Sequence, residues 1–278
     1  MSAGRIEVAG ASLRLWREAP SWNGQRTAAV GEFACDDADA GARLLTETCA
    51  QLAAEGFQSV VGPMNGDTWA SYRLVVESDG RGPFLMEPSN PSHFPAAFER
   101  AGWSQIARYA SSEGPLPETA APAADPPGVT LSSFNLDQAD TELAGLHRVS
   151  LAAFAGAFLY QPVSSDAFAA MYRPVLGRLD PELVVMARDE AGALQGFLFA
   201  IPDLADPRPD RAVILKTYAS LRPGLGSSLA RRFYAVAAAR GYRRVIHALM
   251  HDDNLSARHS ARLGAEVFRR YALWGRVL

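Results

Sequence analysis

A glycine-rich turn at the start of a predicted helix is the segment of this sequence best suited to chemistry. Residues 222–228 read RPGLGSS and lie between a β-rich apolar run and an amphipathic helical pattern. Such a turn leaves backbone N–H groups without partners at the positive end of the helix dipole, which suits a phosphate or diphosphate. Because Arg222 adds a positive charge, the turn is predicted to bind a phosphate group.

Two strands and a helix position this turn. The apolar run at 212–219 precedes it, a second apolar strand follows at 245–249, and Asn254 is placed to cap another helix. The helix between the strands has one apolar stripe, which consists of Leu225, Leu229, Phe233 and Val236. The order is therefore strand, glycine-rich turn, helix, strand, capped helix and, beyond Gly264, a final strand.

This order resembles the coenzyme A-binding core of the GNAT N-acetyltransferase superfamily over roughly residues 129–278. In that family the motif Arg/Gln-x-x-Gly-x-Gly/Ala binds the coenzyme A diphosphate. Gly224 and Gly226 match it, whereas Arg222 stands one residue too close to the first glycine. The resemblance implies acetyl-CoA, or another acyl-CoA, as co-substrate. It also implies an α/β fold of the mixed α+β kind, with two GNAT-like domains in tandem, each a mostly antiparallel mixed sheet flanked by helices.

The resemblance further implies which residues contact the cofactor. In the family, the strand before the loop separates from its neighbour at a bulge and pairs with the pantetheine arm; Leu215 to Ala219 match this strand. The start of the family's second helix also approaches the cofactor. The implied contacts are Thr217, Tyr218, Ala219, Arg222, Gly224, Leu225, Gly226, Ser227, Asn254 and Ser256.

Acyl transfer to an amine requires a deprotonated amine and a stabilised oxyanion. A backbone N–H near Tyr218 is expected to polarise the thioester. His251, at a strand end, is either a proton relay or a loop residue, and Tyr160, where the family's first helices line the acceptor site, either binds substrate or packs in the core. Many family members carry a tyrosine that protonates the thiolate; here its place falls near Ser260 or Ala261, without a tyrosine.

Two further ionisable residues are interpreted as structural. Lys216 lies two residues before Tyr218, so strand alternation predicts that both point to the same face and favours a solvated or snorkelling lysine over a catalytic one. His247 lies inside a strand and is predicted to be a hydrogen-bonded packing residue. The spacing of the histidines and acids matches no metal motif such as HExxH, so no catalytic metal is expected.

The two halves of the chain resemble each other. Gly56 and Gly241 each end an alanine-rich helix before a β-branched strand, and Gly102 and Gly264 are each followed six residues later by Arg-Tyr-Ala. An internal duplication accounts for both matches. The alternative is that each match is only the common pattern in which a glycine ends a helix before a strand. A Pro- and Ala-rich stretch between the repeats predicts three parts: a degenerate GNAT-like domain (1–111), a linker (112–128) and a GNAT acyl-CoA-binding catalytic domain (129–278).

The N-terminal copy lacks a suitable phosphate loop. Its equivalent turn, CDDADAG at 35–41, carries three carboxylates, which would repel a diphosphate. We therefore expect one coenzyme A site per chain, in the C-terminal half. The N-terminal copy is expected to help build the acceptor pocket, although turns and core packing are the alternative for each residue. The candidates are Asn65, Trp69, Tyr72, Arg73 and Glu87.

Composition narrows the classes of function. A net charge of -3 offers no general attraction to nucleic acid, and no run of about 18 apolar residues could span a membrane. Two cysteines are too few for a disulfide framework and fit a reducing compartment, so a cytoplasmic protein is expected. A monomer or a homodimer is the expected oligomeric state.

Three functions follow from these observations. The leading one is an N-acyltransferase that moves an acetyl or short acyl group to a small-molecule amine or amino-acid-like acceptor. The second is a catalytically inactive acyl-CoA-binding or sensor protein, and the third is an interaction protein in which both copies are degenerate. An acidic cleft would indicate a polyamine or aminoglycoside acceptor, and a basic cleft an amino acid.

Overall fold

A computed structural model describes residues 4–117 and 125–278, which form one continuous mixed sheet with helices on both faces. The described strands are β1 (Gly4–Val8), β2 (Ala11–Trp16), β3 (Thr27–Cys35), β4 (Ser59–Gly62), β5 (Leu74–Ser78), β6 (Ser104–Pro115), β7 (Val129–Ser133), β8 (Val184–Asp189), β9 (Leu194–Pro202), β10 (Ala212–Ser220), β11 (Arg244–His251) and β12 (Glu266–Val277). The described α-helices are α1 (Ala38–Ala54), α2 (Phe94–Arg100), α3 (Ala139–Phe154), α4 (Ser165–Tyr172), α5 (Leu225–Ala239) and α6 (Leu255–Arg262).

The predicted duplication is visible in two parallel β-α-β units, β3-α1-β4 and β10-α5-β11. Gly56 and Gly241 end the helices of these units in the left-handed conformation, with φ of 78° and 85°. The N–H of Gly56 donates to Ala53, and that of Gly241 to Ala238, so the two helix ends are built alike. The strands run in the order β1-β2-β3-β4-β12-β6-β11-β10-β9-β8-β7, and β5 also pairs with β12.

The last strand of each half lies beside the other half, an arrangement that the sequence did not indicate. β6 pairs with β11 of the C-terminal half, and β12 pairs with β4 of the N-terminal half. β6 and β12 pair with each other, and Tyr109 lies opposite Tyr271, so the two Arg-Tyr-Ala segments meet around a pseudo-twofold axis. The exchange joins the halves into one sheet.

The predicted linker differs from the structure at its start. β6 continues through Ser112 to Pro115, so these four residues are strand. Residues 118–124 of the predicted linker lie outside the described residues.

A segment of the N-terminal half reaches the C-terminal half. Residues 63–93 connect β4 to α2, whereas only 252–254 connect the equivalent elements β11 and α6. Within this segment, the indole N–H of Trp69 donates to the carbonyl of Gln161 at 2.8 Å, and Phe84 packs in one cluster with Ile214. The N-terminal half therefore covers part of this face of β10 and β11.

Helices cover opposite faces of the C-terminal part of the sheet. Leu229 and Phe233 of α5 pack against Val213 and Val245 on one face, whereas α3 and α4 pack against Val184 and neighbouring residues on the other. None of the helices in residues 4–117 and 125–278 is both long and apolar enough to span a membrane.

Candidate active site

A gap opens in the sheet between β10 and β11. The two strands pair in parallel only as far as Leu215 and His247. Beyond that point β10 stays paired with β9 as far as Ser220, while β11 stays paired with β6 as far as His251. Both strands carry a register shift where they separate. The gap exposes one backbone edge of β10 after Leu215, as the resemblance implies.

A cavity of about 1050 Å³ passes through this gap. Its lining residues come from both faces of the sheet. Ala230 and Tyr234 of α5 and Ser260 of α6 line it on one side, whereas Tyr72 and Phe168 line it on the other. The cavity therefore connects the α5–α6 side of the sheet with a cleft between the two halves of the chain.

Most residues predicted for the site line this cavity. These are Trp69, Tyr72, Arg73, Glu87, Tyr160, Thr217, Tyr218, His251, Asn254 and Ser256. Asn254 occupies the N-cap position of α6, as predicted, but its side chain makes no capping hydrogen bond. The remaining cofactor candidates surround the start of α5, apart from Ala219, which is buried against the core beneath α3 and α4.

Among the described residues, no side chain caps the start of α5. Its N-cap is Gly224, exposed, with φ of 79° and no capping side chain. A Cβ added to Gly226 would lie 3.5 Å from the Tyr218 ring, so this turn comes close to β10. The Arg222 guanidinium donates to the carbonyl of Gly128 at 3.2 Å, so this side chain does not reach over the helix start. Uncapped N–H groups at the positive helix end fit a diphosphate.

The equivalent positions of the N-terminal half are closed. The carboxylate of Asp37 caps α1 by accepting from the N–H of Ala40 at 2.8 Å. The chain after β4 fills the equivalent gap, because the Asn65 side-chain oxygen accepts from the N–H of Glu32 at 2.9 Å. A Cβ added to Gly31 would lie only 2.2 Å from that oxygen. Asn65 therefore lies outside the cavity, and its prediction as an acceptor contact is wrong because its amide satisfies the backbone of β3.

Lys216 is the residue at the bulge of β10, and its side chain points to the face opposite the predicted one. Because the bulge inserts one residue, Leu215 and Tyr218 both pack towards α5 although they are three residues apart. Lys216 instead faces Arg73 and Glu87 of the N-terminal half. Burial, together with the charge of Arg73, lowers the pKa of Lys216 from 10.5 to about 8. The predicted face is therefore wrong, and the side chain is partly buried in the cavity wall rather than fully solvated.

A signal for Lys216 was present in the sequence. The chain has 27 lysine and arginine residues in total, and Lys216 is the only lysine among them. A protein that otherwise uses arginine for its fixed cations has one lysine, and this lysine lines the cavity. The composition could therefore have identified this residue, although not its direction, since the bulge determines which face it occupies.

Arg73 lies across the cleft from β10 in a strained conformation, with φ of 71°. Its guanidinium is held between two tyrosine rings, 3.8 Å from the centroid of Tyr72 and 4.0 Å from that of Tyr109. The residue is only 9% exposed. One terminal nitrogen donates to the carbonyl of Leu249 at 3.4 Å, whereas Nε has no hydrogen-bond partner among the described residues.

Glu87 is the acidic residue of this wall, and its carboxylate is already bonded to other residues of the wall. The side chain is 0% exposed and accepts hydrogen bonds from the Tyr271 hydroxyl and, at 3.0 Å, from the N–H of Phe84. Nε of Arg269 lies 3.5 Å from the carboxylate. Burial raises the pKa of Glu87. The carboxylate is therefore fixed in the wall rather than free to move into the cleft.

Aromatic side chains form the cleft wall beyond these charges. The Trp69 ring lies 5.8 Å from Tyr160 and 5.7 Å from Phe168, measured between centroids, and Phe168 lies 4.8 Å from Tyr172. The Tyr160 hydroxyl is buried without a partner among the described residues, and burial raises its pKa. His251 lies at the cleft edge with its ring 5.1 Å from Tyr109.

A hydrogen-bonded chain of side chains lies at the base of the gap on the α5–α6 side. Nε2 of His247 contacts the Tyr234 hydroxyl at 3.1 Å, and Nδ1 contacts the Ser260 hydroxyl at 2.7 Å. Ser260 also bonds to Ser112 of the N-terminal half. Burial lowers the pKa of His247 to about 4, so it is neutral at pH 7. The prediction of a hydrogen-bonded packing histidine is confirmed, and Ser260 lies where the family tyrosine was expected.

No three His, Cys, Asp or Glu side chains of residues 4–117 and 125–278 are grouped as metal ligands.

Solved structures share this architecture at low sequence identity. A tandem GNAT protein from the clavulanic acid biosynthesis pathway matches 96% of this chain and 79% of its own, with a TM-score of 0.56 and 16% identity. A GCN5-related N-acetyltransferase from Sphaerobacter thermophilus matches 96% and 76%, with a TM-score of 0.55 and 16% identity. A third, from Anabaena variabilis, matches 96% and 60%, with a TM-score of 0.54 and 12% identity. No protein-family model and no curated protein sequence matches the chain.

The fold therefore defines the structural class. The two β-α-β units, the exchanged strands and these matches give the chain the fold of tandem GCN5-related N-acetyltransferases, and the prediction of a tandem GNAT-like fold is confirmed.

Proposed function

We propose that the protein is an N-acyltransferase that moves an acetyl or other short acyl group from coenzyme A to a primary amine by direct attack in a ternary complex. The observation that carries this proposal is the single cavity that passes through the gap between β10 and β11. A cofactor held on the α5–α6 side can present its acyl end through the gap to an acceptor in the cleft. Such positioning supplies a large part of the rate enhancement of a two-substrate transfer.

The residues around the gap fit an acyl-CoA co-substrate, which would supply the thioester. The uncapped start of α5 would hold the diphosphate, and the open edge of β10 from Lys216 to Ala219 would pair with the pantetheine amides. Because Asp37 caps the equivalent helix and Asn65 fills the equivalent gap, we propose one such site per chain.

The charges at the gap favour a neutral amine. Arg73 and Lys216 disfavour an ammonium group beside them, because like charges lower the pKa of a bound amine. Attack forms the N–C bond and breaks the C–S bond, while the amine loses one proton and the thiolate gains one. On the α5–α6 side, the hydroxyl of Ser260 stands near the sequence position of the family tyrosine, and neutral His247 holds it in position through a hydrogen bond.

One observation favours the second function, an acyl-CoA-binding protein without catalysis. Ser260 is 3% exposed and is already bonded to His247 and Ser112, so it is a less accessible acid than a tyrosine. Release of free thiol from acetyl-CoA in the presence of an amine panel separates the two functions. Amine-dependent release supports catalysis, whereas cofactor binding without release from any amine supports the binding protein.

Cofactor binding is tested by calorimetric titration of acetyl-CoA into three proteins. Gly226→Glu adds a carboxylate at the start of α5, where φ is not left-handed and a Cβ meets only the Tyr218 ring. Gly4→Glu adds the same charge in an open position far from the gap and serves as the matched control. We expect one site per chain in the wild type and in Gly4→Glu, and binding weakened on the order of 100-fold in Gly226→Glu. Absence of binding to folded wild type would overturn the proposal.

A further inference from the structure

Two cations face the cleft without an anion of their own. Neither Arg73 nor Lys216 has a carboxylate oxygen of the described residues within 4.0 Å. Both cations line the cavity, and their charges interact: Arg73 lowers the pKa of Lys216, and Glu87 raises it by a smaller amount. The carboxylate whose charge acts on Lys216, that of Glu87, is already bound by Tyr271, Arg269 and the backbone.

Such an arrangement is costly for the protein alone. Buried charges are ordinarily paired, because removal from water is repaid only by a counter-ion and by hydrogen bonds. Arg73 is nine-tenths buried, its Nε lacks a partner among the described residues, and its backbone is held in the left-handed region. Two stacked tyrosines fix the guanidinium in place, so the site is organised in advance for an anion.

The anion does not come from the cofactor in the arrangement proposed above. Diphosphate binding belongs to the start of α5, which packs on the opposite face of β10 from Lys216. The thioester end that would emerge through the gap is uncharged. An anionic group in the cleft must therefore belong to the acceptor.

The geometry points to an acceptor that carries a carboxylate next to its amine: an α-amino acid or a close relative, anchored by Arg73 and Lys216. A cationic polyamine or aminoglycoside is disfavoured by the same two charges. The aromatic wall of Trp69, Tyr160 and Phe168 lies beyond them and suits an apolar or aromatic side chain on the acceptor. This inference rests on the proposed acyl transfer and specifies its second substrate.

The test compares matched acceptors that differ only in the carboxylate. Thiol release from acetyl-CoA is followed with the twenty amino acids, their amides and their decarboxylated amines. For at least one apolar amino acid we expect kcat/KM on the order of 100-fold above its amide, because the amide leaves buried cations unpaired. Arg73→Gln should remove this preference and Arg73→Lys should restore part of it. Arg270→Gln, an exposed arginine of β12, is the control and should retain it.

A second readout does not depend on turnover. Because Lys216 is the only lysine, protein grown with labelled lysine gives one lysine side-chain resonance by NMR. An amino acid that binds through its carboxylate should raise the pKa of Lys216, and its amide should not.

The outcomes separate this inference from the proposed function. Equal or better use of amides and simple amines overturns the carboxylate assignment and leaves the acyltransferase proposal standing. No use of any panel member by protein that binds acetyl-CoA overturns both. Absence of acetyl-CoA binding overturns the acyltransferase proposal instead. A carboxylate preference that survives in Arg73→Gln contradicts the role of Arg73.

Discussion

Replacement of Lys216 by methionine should stabilise the protein at neutral pH. The pKa of this lysine is lowered from 10.5 to about 8, so the folded chain binds the proton less tightly than the unfolded chain. A lysine that keeps its charge at pH 7 despite this shift costs the folded state about 3 kcal/mol. The cost is fully present below pH 8 and disappears as the pH rises above 10.5. Methionine has a similar length and an apolar end, so it removes the charge while filling the same space.

Urea unfolding of the wild type and Lys216→Met at pH 7 and pH 10 measures this difference. The variant should be more stable by about 3 kcal/mol at pH 7 and by much less at pH 10. Lys216→Arg keeps a charge at both pH values and should show no such gain. A methionine variant that is less stable than the wild type at pH 7, or a difference that does not change with pH, would refute the destabilising charge of the partly buried lysine.

Two further predictions concern groups outside the cleft. The pKa of His247 is lowered from 6.5 to about 4. As the pH falls from 6.5 to 4, the histidine of the unfolded chain therefore binds a proton before that of the folded chain does. The wild type should lose up to about 3 kcal/mol of stability over this pH range. His247→Gln should flatten that loss in urea titrations at pH 7 and pH 5, and an unchanged slope would contradict it. Glu113 lies 2.8 Å from Arg208 and 3.1 Å from Arg244, with 11% of its side chain exposed. Glu113→Gln should therefore destabilise the protein by about 2–4 kcal/mol, whereas Glu77→Gln, in an exposed pair, should have almost no effect.

Local signals in the sequence were sufficient for the two β-α-β units and the duplication. Gly56 and Gly241 end helices because the left-handed conformation there excludes most other residues, and this requirement is local. The exchange of β6 and β12 was not predictable, because strand pairing between distant segments leaves no periodic signal in either strand. Residues around the gap show the same contrast: the helix start at Gly224 was predicted correctly, whereas the environment of Lys216 was not.

The failure at Lys216 has a specific physical cause. A sequence-based assignment of strand faces assumes strict alternation, and one inserted residue reverses every side chain beyond it. The bulge between Leu215 and Thr217 therefore changes a predicted surface lysine into a cavity residue. Asn65 failed for a related reason, since its side chain completes the backbone hydrogen bonding at Glu32, where β3 carries its own register shift.

The measurement that tests the central claim most directly is a crystal structure of the protein with bound coenzyme A. We predict the diphosphate at the backbone N–H groups of residues 224–228, and the thiol in the gap between β10 and β11 near Thr217 and Leu249. A diphosphate at the acidic turn of 35–41, or a pantetheine arm that lies outside the gap, would contradict the account.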